Sequence, residues 1–508
     1  MAAVIYDLEL EMLENSIYHK IKKCILKFGK LPEDFVAEEK TYKENELRFA
    51  PGALEGIFGH HMSDEVKECD FAQIIKDYLS MKPEEALQIF EQEQVKNYKV
   101  ASIRQSLQNS IYEHREDYDA EKLAGLAVCF TEYGTKTETV KLGLSLLALF
   151  HVADKPGICE MIATLGYCEE FTDYVIMNSR NWAEDRQQEL YFELAKKLKG
   201  WGKINAVEMM QADTEEKKKW LLCHGCKNDV MYAYLGYECA MKCDLYERLQ
   251  KGNFSDEEFQ GASDIMSGLL DEGPCEGMSA LEHPIELTLL YLEECKKHNW
   301  DAEQVALLTD IATYFRGSKI ENSPSIEPKV KEVLGLLDIH TYIVENIEKN
   351  THECMRIAKM YDIDMSQHLI RLMKMDFAKY YNFCYYLFTN HQSVDEFLTL
   401  CDREIAYEQY PNKMGDDLGL GPVQGGIKLD LIVQHLDKHF GKGREMIKVC
   451  IQSPITRWRN MAAKAMFGWV RESGLSLKDI DAKLYAEVER VHAIECSEQT
   501  KGMWEKLL

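Results

Sequence analysis

Proline is scarce in this chain, 11 residues in 508, and few stretches alternate strictly between apolar and polar residues. The first scarcity leaves helices uninterrupted, and the second argues against half-buried strands. No run of about 18 apolar residues is free of charge, so no segment is suited to cross a bilayer as a helix. The most apolar stretch, KLGLSLLALFHVA from Lys141 to Ala153, is bounded by charge and is expected to be a buried core helix. The start, MAAVIYDLELEMLEN, carries acids inside its apolar part and lacks the basic, apolar and cleavage regions of a secretory leader. Positive charge is also in short supply: 60 Lys and Arg stand against 86 Asp and Glu, a formal net charge of −26. Such a field repels phosphate backbones and anionic lipid heads, so neither nucleic acid nor a membrane is expected as a partner. The densest basic runs, Lys217 to Lys219 and Lys438 to Arg444, are short and flanked by acids.

What remains is a helical text. Hydrophobic residues make up 46% of the chain, enough for a large core. Short apolar helices recur at intervals of roughly 15–25 residues with brief breaks, the spacing of helical hairpins that bury their second face by stacking. The expected organisation is an N-terminal part with an irregular connection (1–69), divergent helical hairpins (70–315), a linker over Arg316 to Pro328, and C-terminal helical repeats (329–508). Sixteen cysteines without a leader are expected to be reduced cytoplasmic thiols, many acting as small hydrophobes, as with Cys129 and Cys384.

The densest cluster of metal-ligand residue types is CHGCKNDVMYAYLGYECAMKC, with Cys223, Cys226, Cys239 and Cys243. Asp213 with Glu216 is set to start one helix, Gly225 to end it, and Asn228 or Asp229 to cap the next. A continuous second helix would hold Cys226 and Cys239 about 20 Å apart. One zinc ion needs its sulfurs within roughly 4 Å of each other, so only a break near Gly236 would assemble a site. The four thiols are therefore expected to pack. His435 and His439, at i and i+4 in HLDKH, could clamp a metal weakly on a helix, but no Glu follows the first as in HExxH. Glu55, His60 and His61 fall together in EGIFGHH, where adjacent histidines point apart.

Phosphate-loop patterns fail. In GLGPVQGG (Gly419 to Gly426) the third glycine comes one position late for a dinucleotide fingerprint, and no Gly-Lys-Ser/Thr follows. The interval from Arg444 to Cys450 is too long for a haem-thiolate loop. With no flavin, haem or nicotinamide signature, no cofactor is expected. FAKYYNFCYYLF (Phe377 to Phe388) reads as one helix apolar nearly all round, a core element. Its Tyr380, Tyr381, Tyr385 and Tyr386 are the residues that would line a small-ligand groove.

WRNMAAKAM (Trp458 to Met466) resembles the second-helix signature of HEAT-type repeats: Arg459, then the small Ala462 and Ala465, after Ser453-Pro454 in the inter-helix turn. The resemblance implies an all-α solenoid in which the arginine reaches the preceding turn. KKWLLCHGCKNDVMYAYLGYECAMKCDL resembles a set of bacterial proteins named limonene hydroxylases, which would imply oxidation of a small apolar molecule. The expected function is a non-catalytic cytoplasmic scaffold binding a basic protein or peptide. The alternatives are a hydroxylase-like oxidoreductase and a small-ligand sensor. The balance is against an enzyme, and no catalytic residues are assigned.

Overall fold

The computed structural model describes residues 15–39, 48–61, 71–94, 99–273, 275–389, 391–419 and 421–508, with the backbone alone at 58, 60, 61, 94, 389, 391 and 392. Among these residues the regular elements are all helices; one isolated bridge joins Asp417 and Ile455. No described helix is long and apolar enough to cross a membrane. The chain divides into two compact units, Met1–Leu334 and Gly335–Leu508.

Helix starts follow local chemistry. Asp119 accepts from the N–H groups of Glu121 and Lys122, while Ser255 with Glu258 and Asp301 with Gln304 form capping boxes. Pro83, Pro156 and Pro284 sit in first turns, where their missing N–H costs nothing.

In the first unit alternate helices form a row in which each packs on the next. The row runs through Val100–Glu113, Thr137–Leu147, Thr172–Ser179, Trp201–Met209, Ala233–Lys242, Asp256–Leu269 and Ala302–Gly317. Polar side chains form rungs between neighbours: Gln108 donates to Ser145 O, Asn178 to Leu144 O, and Lys242 to Val207 O and Glu208 O. Such donors satisfy carbonyls that would otherwise be buried without partners. Gly236 and Gly268 let two helices of the row touch at the backbone. A Cβ on Gly268 would stand 2.6 Å from Tyr232 O, and one on Gly236 would stand 2.6 Å from the Gly268 carbonyl carbon.

The expected linker, Arg316 to Pro328, belongs to the first unit. Arg316 ends the Ala302–Gly317 helix, Pro328 lies in the Ile326–Leu334 helix, and the two helices pack together. The division falls later, after Leu334. Residues 53–61, expected to be irregular, form a helix (Ala53–His61) whose Gly56 lies against the Trp201 ring. All eleven residues of Thr137–Leu147 are buried, so Lys141 lies inside the core, not at its edge.

In the second unit the Thr456–Ser473 helix is central. It packs on Arg444–Ile451, Asp430–Val433 and Glu498–Glu505, with Ala462 and Ala465 fully buried. Arg459, also fully buried, donates to Ser453 O (2.9 Å) and Pro454 O (3.1 Å) in the preceding turn. Its other edge forms a two-pronged pair with Glu495, at 2.8 and 2.7 Å.

Candidate functional site

Two concentrations of charge stand out in the first unit, one sealed and one open. The sealed one is drawn from five segments. Lys141 donates to Glu55 Oε1 (2.7 Å) and Glu170 Oε1 (2.9 Å), with side-chain exposure of 3% at the lysine and 2% at Glu55. Tyr174 donates to the same Glu55 oxygen (2.9 Å), Glu138 accepts from Val100 N–H (2.7 Å), and Arg104 pairs with Asp173. Burial alone would lower the Lys141 pKa; Glu55, Glu170 and Glu138 outweigh it and raise it. Burial raises Glu138 and lifts the Tyr174 hydroxyl well above its ordinary value. With its central ion pair out of contact with solvent, this cluster is built to tie helices together and not to meet a substrate.

The open concentration is a groove. A cavity of about 860 Å³ is lined by the segment around Ser279–Glu286, the end of the Ala302–Gly317 helix and the turn that follows it. A second cavity of about 510 Å³, between Met231–Ala233, the end of Asp256–Leu269 and Asp310, shares Tyr314 with the first. Glu272, Glu282, Glu286 and Glu321 line the larger lobe, Asp271 and Asp310 the smaller. Lys319 and His283 are the basic side chains in either lining. Glu272, in the larger cavity, is held against Tyr314, accepting from Ser279 N–H at 2.5 Å and from the Tyr314 hydroxyl. Burial and this carboxylate together raise the Tyr314 pKa.

The cysteine stretch differs from its expected form. Thr214, not Asp213, caps the first helix, which continues beyond Trp220 as a π-helix, Leu221–Gly225. Asn228 turns the chain by accepting from Val230 and Met231 N–H, and the next helix starts only at Ala233. Cys226 therefore lies in the turn, outside the second helix, and the 20 Å separation does not apply. Gly236 is no break but a helix-packing point. Cys239 lies close enough to Gly225 that a Cβ there would stand 2.8 Å from its sulfur. Burial pushes the thiol of Cys239 up to about 12 and that of Cys223 to about 11, and lifts Cys226 and Cys243 well above the ordinary value. Cys226 donates to the carbonyls of Tyr232 and Asp264. Among the described residues no three His, Cys, Asp or Glu side chains are grouped to hold a metal ion.

His435 and His439 flank a 3-10 turn, Leu436–Lys438, and not a continuous helix. The Phe388 ring lies 5.0 Å from one imidazole and 5.2 Å from the other. The aromatic stretch is likewise broken, into a short α-helix, Phe377–Tyr380, and a 3-10 helix, Tyr381–Thr389. Tyr380 and Tyr381 are buried, the latter accepting from Lys428 N–H (3.1 Å), whereas Tyr385 is exposed with its ring 4.2 Å from Tyr386. The segment Gly419 to Gly426 is pinned by Tyr410, which donates to Gly425 O and Ile427 O; residue 420 lies outside the described residues. The side chains of His60 and His61 also lie outside them, so of EGIFGHH only Glu55 is placed in a charged site.

Neither the net charge of the whole chain nor any motif spacing marks the groove. Its signal is regional: from Gly252 to Cys295 the chain has eleven acidic residues and no lysine or arginine. Compared with known families, curated proteins and solved structures, the chain matches none.

Proposed function

We propose that this chain is a non-catalytic, cytoplasmic partner-binding protein, an α-solenoid scaffold of HEAT-like character whose acidic first unit receives a basic protein. The observation that carries this reading is the open groove, whose linings hold six carboxylates against one lysine and one histidine, and one side of which is a stretch with no lysine or arginine. The row of alternate helices from Val100 to Gly317 supports the solenoid part, since stacked hairpins generate that pattern of neighbours. The bonds of Arg459 to the turn before its own helix support the HEAT-like part.

Negative charge over an extended surface speeds encounter with a positive partner and disfavours wrong ones. The test is affinity capture with the tagged full chain, a salt titration and an absorption spectrum of the eluate. A stoichiometric basic protein, released as salt rises, is the expected result. A chromophore or about one metal ion per chain, with no partner, would overturn the proposal in favour of an oxidoreductase.

A further inference from the structure

We infer that the two-lobed groove at Tyr314 is the docking site itself, and that its occupant is an extended segment of the partner carrying several separated arginine or lysine side chains. This deepens the reading above and rests on it.

The six carboxylates of the lining come from separate stretches: Asp271 and Glu272, Glu282 and Glu286, Asp310, and Glu321. No three acidic, histidine or cysteine side chains among the described residues are close enough together to hold one metal ion. Separate cations on a polymer match such an arrangement where a single ion does not. Between the acids lie Leu281, Pro284, Ile285 and Ile320 in the larger lobe and Met231 and Leu270 in the smaller. Lysine and arginine lay their methylene stems on apolar surface while the charged end seeks an anion, so this alternation suits them. Tyr314 and Tyr232 add aromatic faces on which a guanidinium can rest.

Glu272 is already oriented by Ser279 N–H and the Tyr314 hydroxyl, so it gives up little freedom when a cation arrives. Among the described residues no lysine or arginine bridges Glu282, Glu286 or Glu321, leaving those charges for an incoming segment.

The experiment measures binding of a fluorescent peptide of alternating arginine and glycine to the full chain at low salt, with spermine as competitor. The groove variant is Glu282→Lys with Glu286→Lys, both exposed, and the control is Glu113→Lys with Glu116→Lys, exposed acids of the same unit outside the groove. The groove variant is expected to weaken binding by about tenfold or more while the control stays within roughly threefold. Equal weakening by both pairs would mean attraction to the general field; it would overturn the groove as the site and leave the acidic-partner reading standing. No binding by the unaltered chain would overturn both. Spermine binding as tightly as the peptide, and displacing it, would make the occupant a small polycation and overturn the peptide segment.

Discussion

Lys141 and Arg459 are both out of water, and each is held by carboxylate. Removing one member of a buried pair leaves an uncompensated charge, at a cost of about 3–5 kcal/mol, whereas replacing the whole set by neutral groups of similar shape costs far less. Lys141→Met is therefore expected to lower the urea midpoint of the first unit strongly. Adding Glu55→Gln and Glu170→Gln should recover much of the loss. Because its folded pKa is raised, Lys141 contributes fully below the unfolded value of about 10.4, and that contribution fades only as pH rises through the folded value.

Glu495 runs the other way. Burial would raise its pKa, but hydrogen bonds from Arg459, Ser497 N–H and Trp504 outweigh that and hold it low. Its stabilisation is complete above about pH 4.3 and is lost as pH falls through the depressed value. Urea titrations below about pH 4 should show the unaltered second unit losing stability more steeply than Glu495→Gln. Arg459 was legible in advance because the resemblance of its stretch to a HEAT-type second helix implies that the arginine reaches the preceding turn, and it does. Lys141 was not, since a lysine beside an apolar run marks the edge of a core far more often than its interior.

Among elements, helices were more legible than the manner of their contact. Hydrophobic spacing finds a helix of period 3.6 but does not see a π-turn such as Leu221–Gly225 or a 3-10 helix such as Tyr381–Thr389, whose stability comes from surroundings and not from local pattern. Gly236 illustrates the second difficulty. A glycine within a helical pattern is equally compatible with a break and with close approach, and only its neighbour Gly268, distant in sequence, decides between them.

Gly268→Ala should destabilise by about 1–3 kcal/mol, because the methyl group meets backbone on the neighbouring helix and not a side chain that can turn aside. Gly125→Ala, in a helix interior with nothing within 4 Å of the added carbon, should instead stabilise by about 0.5–1 kcal/mol. Thermal melts of the two variants, moving in opposite directions, test whether space or helix propensity governs each position.

Across the whole molecule the charge is divided very unevenly. The first unit has 61 acidic and 38 basic residues, a formal −23, and the second has 25 and 22, a formal −3. Self-repulsion therefore burdens one unit and hardly touches the other. Calorimetry of the full chain is expected to resolve two transitions, one moved by Lys141→Met and the other by Arg459→Ala. Raising salt to about 0.5 M should lift the first more than the second, since screening relieves repulsion only where it exists. A single net charge for 508 residues concealed this division, as it concealed the acidic wall of the groove.

Trypsin cleaves after Lys251 and finds no further site until Lys296. About half of the groove lining thus leaves a digest in one long acidic peptide, and amine-reactive cross-linkers meet only Lys319 among the lysines of the lining. The acidic half of the surface proposed to hold a partner is silent to the reagents commonly used to map one. A glutamate-specific protease or a carboxylate-directed cross-linker would make its footprint visible.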